Sequence, residues 1–511
     1  MSNAMDHGLQ LMSVLDSSRL IGQFVLAAAD NRAPAGWLSD RIGGWFLARH
    51  PRLPAIRLTG AGNRALGWML GYPISEEGRL LSDGEALCMP VGAVESTAAL
   101  EAFIYGFGGR FAVALVEAQH PRVYLDPCGS LSAVYCAHQR LVASTPNLIP
   151  YDDHSRDRVE LARAIAIPHT NGQYPLGLTP RYRVERILPN HFLDLSDWRM
   201  VRHWPTQPLG EMESVEGAIA EIAAIVKRQI AAIVSAKPTY LCLTAGQDSR
   251  MLLACARGLA DQLELITAEI GDLGAAIDCD TARRIAKRFG LKHRILPKES
   301  ATEEDLQEWM FRISFSTGEI RGWQSATMFK RLPRGRGVLG EAVGELARGY
   351  WWRVDDSETT VVSPERLVEI CKCPPDEVPL ARARSWLATV PAANALQVLD
   401  LYYLEQDLGC WAGVWLYSEC EPGFQLFALS HRRVIELMLT LPIAYRRSGR
   451  LQRDVIAREW AELLEWPFNH PVGLSRLVFR AKRAINKGAI ALRYPGLALD
   501  WLHRGTIGWL Q

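Results

Sequence analysis

The sequence predicts an α/β protein, with a strand-rich antiparallel first part and a doubly wound parallel sheet in the second part. In the first part, short apolar runs are bounded by Gly, Pro and Asp residues, which is typical of antiparallel strands joined by turns. In the second part, apolar strands alternate with long amphipathic helices, which is typical of parallel strands joined by helical crossovers. A chain of 511 residues is long enough for two or more domains, each with its own core.

The first part is predicted to contain a series of short strands and a covering helix from Asp157 to Ala166. The strands are Gly108–Leu115, Arg122–Leu125, Ala133–Cys136, Leu141–Ser144 and Arg183–Leu188. Turn-forming residues separate them, as in the run Asp126-Pro127-Cys128-Gly129. The stretch Trp204–Gly210 is rich in proline and glycine, so it is predicted to be a linker.

The second part begins with an amphipathic helix from about Glu213 to Ser235, where isoleucine and valine recur at spacings of three and four residues. A strand then leads into Leu241, and a further helix is predicted from about Asp278 to Phe289. The other predicted strands are Leu263–Ala268, Lys292–Leu296 and Gly337–Leu339. From Thr360 on, the chain is predicted to be mainly helical. Ligands of such sheets bind at the carboxyl ends of the strands, so the turns after the first and fourth strands are expected to face one pocket.

The stretch Leu241–Arg250 reads as a buried strand, a tight turn of small and hydroxylated residues, and the start of a helix. Such a turn directs backbone N–H groups and a helix N-terminus at one spot, which favours phosphate binding. The hydroxyl groups of Thr244 and Ser249 can add donors, and Asp248 can hold a magnesium ion. The competing interpretation is an ordinary strand-to-helix turn capped by Asp248 or Ser249.

Composition excludes several classes of partner. A net charge of +1 gives no reason to expect nucleic acid or an acidic membrane surface. The ten cysteines show no metal-like pairing, which favours a reducing cytoplasm. The segment Leu9–Ala29 is interrupted by polar residues and is not expected to span a membrane. Met1–Ala4 is interpreted as an expression scar before a native Met5.

Two motifs in the second part carry a family resemblance. The first is Thr244-Ala245-Gly246-Gln247-Asp248-Ser249, which resembles a Ser-Gly-Gly-x-Asp-Ser pyrophosphate loop. The second is Gly340-Glu341-Ala342-Val343-Gly344-Glu345 with the later Gly349-Tyr350, which resembles a Gly-Glu-Gly-x-Asp-Glu segment ending in Gly-Tyr. A third, weaker likeness is the run Asp407 to Pro442 with a carboxylate at Glu419 or Glu421. The second part therefore resembles the synthetase domain of the asparagine synthetase family, an ATP pyrophosphatase fold.

The first part resembles the glutaminase-like domain of the same family, an Ntn-hydrolase-like α/β sandwich. The likeness rests on Gly109-Arg110-Phe111-Ala112, on Asp126–Gly129 and on Val184–His191. The resemblance implies two domains, a glutaminase-like one over residues 5–205 and an ATP-binding synthetase one over residues 211–511. A homodimer is a possible assembly.

The implied activity is an ATP-dependent, AMP-forming amide ligase that joins a carboxylate substrate (amino acid or peptide) to ammonia or an amine. The expected cofactors are ATP and Mg²⁺. Around the nucleotide, the resemblance places Leu243, Thr244, Gly246, Asp248, Ser249, Ala268 and Gly340. Asp248 and Glu345 are the expected metal ligands. Glu341 is the candidate general base or amine-orienting group, with Tyr350 as a helper; the competing interpretations are a solvated loop carboxylate for Glu341 and aromatic packing for Tyr350.

The sequence also departs from the family pattern at several positions, and these departures limit the activity that the resemblance implies. Glutaminases of this class use an N-terminal cysteine, whereas the first cysteine here is Cys88, so glutamine hydrolysis is not expected. β-Lactam synthetase and the macrolactam-forming cyclases of lasso peptides also lack that cysteine, which makes a natural-product cyclase one alternative. Ala245 replaces a loop glycine and Gly344 replaces a magnesium-binding aspartate, which is compatible with a non-catalytic scaffold as another alternative. A basic residue for pyrophosphate is expected from the helix around Arg450–Arg453. An RNA-modifying ATP pyrophosphatase would share the loop, but no basic RNA-binding module is evident.

Overall fold

The computed structural model describes residues 19–28, 33–150, 157–169, 172–270, 273–297, 302–318, 332–418 and 423–470. The strands in these ranges, numbered in chain order, are β1 (Phe24–Ala27), β2 (Leu38–Ile42), β3 (Trp45–Arg49), β4 (Ala55–Thr59), β5 (Ala65–Ile74), β6 (Ala86–Cys88), β7 (Gly108–Leu115), β8 (Arg122–Leu125), β9 (Val134–Cys136), β10 (Leu141–Ala143), β11 (Glu185–Arg186), β12 (His191–Asp194), β13 (Arg199–Arg202), β14 (Thr239–Cys242), β15 (Leu263–Ala268), β16 (His293–Leu296), β17 (Arg336–Gly340) and β18 (Gly423–Phe427).

The α-helices in the same ranges are α1 (Val91–Glu95), α2 (Thr97–Tyr105), α3 (Val159–Ala164), α4 (Val215–Ala236), α5 (Gln247–Cys255), α6 (Leu273–Phe289), α7 (Glu303–Arg312), α8 (Pro364–Ile370), α9 (Glu377–Leu387), α10 (Ala395–Tyr402), α11 (Gly409–Trp415), α12 (Arg432–Thr440), α13 (Ile443–Ser448) and α14 (Leu451–Trp460). A π-helical segment, Tyr403–Leu408, joins α10 to α11.

The first part folds into two sheets that pack face to face. One sheet has the order β11-β9-β10-β1-β3-β2 and the other has the order β13-β12-β8-β7-β5-β4-β6. Their neighbouring strands are antiparallel except for β4 and β6, which are parallel. Buried side chains such as Leu47 on β3 and Trp68 on β5 fill the space between the sheets. Helices α1 and α2 cover the outer face of the second sheet, where Leu100 joins the core.

The structure confirms most of the predicted strands of the first part and shortens one. β7 and β8 have the predicted bounds, and β9 and β10 lie within theirs. The predicted strand Arg183–Leu188 is wrong over most of its length, because only Glu185–Arg186 pairs with β9. Arg183 has a φ of 63°, outside the extended region. The carbonyl of Val184 accepts a hydrogen bond from Thr179 Oγ1 at 2.7 Å rather than from a neighbouring strand.

The second part contains the predicted parallel sheet, in the order β16-β15-β14-β17-β18. All four neighbouring pairs are parallel, and Leu241 of β14 is opposite both Leu265 of β15 and Leu339 of β17. The chain adds strands outward from β14 on one side, then returns to add β17 and β18 on the other. The direction of winding therefore changes between β14 and β17, which is where ligands bind in doubly wound sheets. The described chain after Thr360 is mainly helical, as predicted, and β18 is a strand that the prediction does not include.

Two predicted helices of the second part are present with shifted ends. α4 begins after Ser214, whose hydroxyl oxygen accepts from Gly217 N–H at 3.1 Å as an N-cap. α6 begins at Leu273 rather than at Asp278. Asp278 is therefore an interior residue of α6. The predicted helix Asp157–Ala166 is reduced to α3.

Buried charges join the two parts. Arg202 of β13 forms a bidentate pair with Glu405 in the π-helical segment, with N–O distances of 2.6 and 2.8 Å. Asn190 and Trp386 donate further hydrogen bonds to the same carboxylate at 2.8 and 2.7 Å. Glu405 is fully buried, and four donors satisfy its charge, as a buried carboxylate requires. The sheets of the first part are therefore fixed against the helices of the second part.

Within the described ranges, no helix combines the length and the apolar character needed to cross a lipid bilayer. Glu419 and Glu421, which carry part of the third likeness, lie outside the described residues. The same is true of the residues before 19 and after 470.

Candidate phosphate-binding and active site

The turn between β14 and α5 is closed by its own hydroxyl groups. Thr244 N–H donates to Ser249 Oγ at 3.0 Å, and the two hydroxyl oxygens lie 2.8 Å apart. Gly246 N–H donates to Thr244 Oγ1 at 3.1 Å. Gly246 is the N-cap residue, and no side chain caps α5 there. A simple capped turn therefore does not describe this segment, and the exposed N-terminal turn of α5 favours an anion beside Thr244 and Ser249.

Asp278 places a carboxylate on the same turn. Its Oδ1 accepts a hydrogen bond from Ala245 N–H at 2.7 Å, a length typical of charge-assisted bonds. A carboxylate oxygen thus occupies one position in which the turn would meet a phosphate oxygen. Ala245 is buried and does not have a positive φ. The turn therefore accommodates alanine without a left-handed backbone conformation.

Arg250 holds the turn from behind. Its guanidinium donates to the carbonyl oxygen of Ala245 at 2.6 Å, and to those of Trp466 and Pro467 at 2.7 and 3.0 Å. The ring of Phe468 lies 3.7 Å from its Cζ. Burial lowers the pKa of Arg250 to about 9. These contacts fix the carbonyl side of the turn.

The segment after β17 contains an unusual backbone conformation. Val343 has a φ of 87° and is fully buried, which is rare for a β-branched residue. Such strain costs about 1–3 kcal/mol and clusters at functional sites. Gly344 follows, and a Cβ on Gly344 would lie 2.2 Å from Asp248 Oδ1. The strained turn therefore brings a residue without a side chain against the Asp248 carboxylate.

Both carboxylate oxygens of Asp248 have protein donors. Arg348 Nη2 donates to Oδ2 at 2.9 Å, and Gln452 Nε2 donates to Oδ1 at 3.0 Å. The same Arg348 nitrogen lies 3.5 Å from Glu345 Oε1, and the Tyr403 hydroxyl donates to Glu345 Oε2 at 3.2 Å. The two predicted metal ligands therefore lie close together, with a guanidinium between them. In the described part of the chain, no group of three or more His, Cys, Asp and Glu side chains is arranged to hold a metal ion.

Glu341 carries a buried oxygen without a partner. Its Oε2 makes no hydrogen bond to any described residue. Burial, followed by the negative charge of Asp248, raises the pKa of Glu341 to about 8. The carboxyl group therefore holds a proton at neutral pH and can exchange it slightly above neutrality, as a catalytic acid or base requires. A solvated loop carboxylate would have neither property.

Tyr350 lies at the rim of the site rather than inside it. Its side chain is 47% exposed, and its ring packs against those of Trp351 and Tyr403, with centroids 4.9 and 4.7 Å away. Tyr403 in turn donates to Glu345. These contacts match the competing interpretation of aromatic packing, and a catalytic role for Tyr350 stays a prediction.

Three residues predicted to surround the adenosine lie at the carboxyl ends of β14, β15 and β17: Leu243, Ala268 and Gly340. Leu243 N–H donates to Ile266 O at 2.9 Å, and its carbonyl accepts from Thr267 Oγ1 at 2.7 Å. A Cβ on Gly340 would lie 2.7 Å from Gln425 Nε2. The sheet itself thus accounts for the Leu243 hydrogen bonds and for the glycine, and contacts with adenosine stay a prediction.

Helix α14 contacts the site through an amide instead of a basic side chain. Gln452 bridges Asp248 and the carbonyl oxygen of Gly344, which it reaches at 2.9 Å. Arg450 pairs with Asp454 at 3.4 Å. Neither Arg450 nor Arg453 contacts Asp248. The guanidinium of Arg453 lies over the ring of Phe468, 4.8 Å from its centroid.

The first part contains a buried thiol that is not arranged as a nucleophile. Cys128 Sγ contacts Asp126 Oδ1 at 3.3 Å and Ser430 Oγ at 3.2 Å. Burial, and then the charge of Asp126, raises the pKa of Cys128 well above its ordinary value, so the reactive thiolate is disfavoured.

Three residues of the site escape prediction from the sequence: Asp278, Arg348 and Gln452. Each carries a signal in retrospect. Asp278 follows β15 at the carboxyl edge of the sheet, Arg348 lies inside the second motif, and Gln452 lies between the two arginines that drew attention to α14. None could be assigned to the site without knowing which side chains meet across the pocket.

No family model matches the chain, and no curated protein matches it significantly.

Proposed function

We propose that this protein is an ATP-dependent amide ligase related to asparagine synthetase. It activates a carboxylate as an acyl adenylate with release of pyrophosphate, then transfers the acyl group to ammonia or a substrate amine with release of AMP. The observation that carries the proposal is the meeting of two segments where the winding of the parallel sheet changes direction. One segment is the anion-accepting turn Thr244–Ser249, and the other delivers Glu341.

In the first step, a substrate carboxylate oxygen bonds to the α-phosphorus of ATP while the bond from that phosphorus to the pyrophosphate oxygen breaks. Negative charge builds up on the leaving oxygens, so hydrogen-bond donors aimed at them lower the barrier. The first turn of α5 and the hydroxyl groups of Thr244 and Ser249 supply such donors. Asp278 must leave Ala245 N–H when a phosphate oxygen takes its place.

In the second step, the amine nitrogen bonds to the acyl carbon, AMP leaves, and the nitrogen loses one proton. Glu341 takes that proton in its ionised form. With a pKa of about 8, this form is a minority at neutral pH and becomes the majority above pH 8. Its unpartnered Oε2 provides the acceptor.

The residues fit magnesium less well than they fit the phosphates of ATP. Every carboxylate oxygen of Asp248 and Glu345 already faces a donor from Arg348, Gln452 or Tyr403. Mg²⁺ prefers near-octahedral oxygen coordination, and a guanidinium at the same carboxylates opposes a second cation. In this proposal Mg²⁺ enters only as part of the MgATP substrate.

Product analysis tests the proposal. Incubation of the protein with ATP, a pool of carboxylic acids and peptides, and ammonia or amines is expected to yield AMP and pyrophosphate in equal amounts. Ser249→Ala removes a hydroxyl donor from the turn and is expected to lower the rate by about tenfold or more. Formation of ADP and phosphate instead would exclude adenylation.

One observation favours a second candidate, a nucleotide-free binding or scaffold protein of the same fold. The N–H groups of Thr244, Ala245 and Gly246 are all bonded within the protein. A protein of this kind would bind no ATP in calorimetry and would form neither AMP nor pyrophosphate.

A further inference from the structure

Arg348 lies where the two predicted metal-binding carboxylates meet. Its Nη2 is 2.9 Å from Asp248 Oδ2 and 3.5 Å from Glu345 Oε1. A guanidinium stays protonated throughout the ordinary pH range. The guanidinium is therefore a permanent cation of the site.

Two neighbouring residues, Gly344 and Gln452, hold the Asp248 carboxylate beside Arg348. Gly344 has no side chain, and a Cβ there would lie 2.2 Å from Asp248 Oδ1. Gln452, which also donates to the carbonyl oxygen of Gly344, donates to that same Asp248 oxygen at 3.0 Å. Asp248 is thereby held in the orientation that meets Arg348, and position 344 contributes no further carboxylate.

Arg348 also keeps donors for a ligand. Both of its ion pairs use Nη2, and within the described residues neither Nε nor Nη1 has a hydrogen-bond partner. The side chain is 26% exposed, so it is not sealed from solvent. A guanidinium with two free donors is well suited to phosphate oxygens.

We propose that Arg348 is the built-in cation of the nucleotide site and binds the phosphate oxygens of ATP and of the leaving pyrophosphate, in place of a magnesium ion held by Asp248 and Glu345. The inference rests on the proposed function, because it assumes that the Thr244–Ser249 turn receives these phosphates. It makes nucleotide binding independent of protein-held metal.

Calorimetric titration of the full chain with ATP, in EDTA and in excess Mg²⁺, tests this inference. The wild-type protein is expected to bind ATP in EDTA, and Arg348→Gln is expected to weaken that binding by about 10- to 30-fold. Arg348→Lys keeps the charge and is expected to restore part of the loss. Arg353→Gln is the matched control, because Arg353 is half exposed and pairs with Glu369 instead; its affinity for ATP is expected to equal that of the wild type.

A second titration, with Mn²⁺ alone, distinguishes a cation role from a structural one. The wild-type protein is expected to bind no Mn²⁺ at Asp248 and Glu345, whereas Arg348→Ala frees both carboxylates and is expected to gain a site. Adding Asp248→Asn to that variant is expected to remove it again.

The outcomes separate the two proposals. Binding of ATP only in Mg²⁺, with Arg348→Gln equal to the wild type, would overturn the role of Arg348 and leave the ligase proposal standing. Tight Mn²⁺ binding to the wild-type protein that is lost in Asp248→Asn would overturn it in the same way. Absence of ATP binding under both conditions would overturn the ligase proposal, and the inference with it.

Discussion

The carboxylate of Asp248 fills the space that a side chain at Gly344 would need, since a Cβ at Gly344 would lie 2.2 Å from Asp248 Oδ1. These two residues come from the two motifs that the sequence analysis singles out, one after β14 and one after β17. Their contact makes the two motifs a single packed unit. It also gives a physical reason for glycine at position 344, since any side chain there would clash with Asp248.

Gly344→Ala is expected to disrupt this unit. The new methyl group must displace Asp248 from Gln452 and Arg348, which we expect to cost about 1–3 kcal/mol in the free energy of unfolding and to weaken ATP binding about tenfold or more. Urea denaturation and calorimetry measure the two effects. Gly258→Ala is the control, because a Cβ there has no neighbour within 4 Å. Equal stability of the two variants would show that the contact is not tight.

Glu341→Gln is expected to change how stability depends on pH. The pKa of Glu341 is about 8 in the folded protein against an ordinary 4.5, so the folded state binds the extra proton between these values. The wild-type protein therefore loses stability as the pH rises through this window, by at most about 1.4 kcal/mol per pH unit. The variant lacks that loss. Its free energy of unfolding, measured by urea denaturation, should therefore rise relative to that of the wild type from pH 6 to pH 8. Parallel curves would contradict the raised pKa.

Asp278→Asn is expected to strengthen the binding of inorganic pyrophosphate. The variant keeps an acceptor for Ala245 N–H but removes a negative charge from the turn, which we expect to tighten binding by about three- to tenfold. It should also lower the pKa of Glu341, since the charge of Asp278 contributes to raising it. Calorimetry and the pH profile of stability measure the two effects. Weaker pyrophosphate binding would show that Asp278 helps to hold the ligand.

Arg202→Met is expected to loosen the two parts of the chain. It leaves the Glu405 carboxylate buried without its guanidinium partner, which we expect to cost about 3–5 kcal/mol in the free energy of unfolding. The double variant Arg202→Met/Glu405→Met should recover part of this loss. Arg163→Met, which breaks an exposed pair with Glu160, should change stability by less than about 1 kcal/mol. Similar losses in both single variants would contradict a buried inter-part ion pair.

The repeating features of the sequence predict the architecture well. The strand Leu263–Ala268 and the amphipathic stripe of α4 depend on local periodicity, and both are present. β18 is not predicted, because the strand that it pairs with, β17, lies far from it in the sequence. The strands β1–β6 are not among the predicted strands, although local turn signals mark several of them, such as Gly43-Gly44 between β2 and β3.

The sequence predicts the residues of the candidate site that belong to the two motifs, but not the residues that contact them from elsewhere. Thr244, Asp248 and Glu341 lie on two short segments that the parallel sheet brings together. Sequence spacing and topology are therefore enough to predict that these residues lie near one another. Arg348 and Asp278 contact the turn from segments that are distant in the sequence. Such contacts depend on side-chain packing, which the position of a residue in the sequence does not determine by itself.

Exchange of labelled pyrophosphate into ATP, measured without any amine, tests adenylation most directly. With a pool of carboxylic acids and peptides divided until a single substrate remains, the label is expected to enter ATP only when that carboxylate is present, and Ser249→Ala should slow the exchange. Failure of every carboxylate to support exchange, or exchange that proceeds equally without one, would contradict the formation of an acyl adenylate at this site.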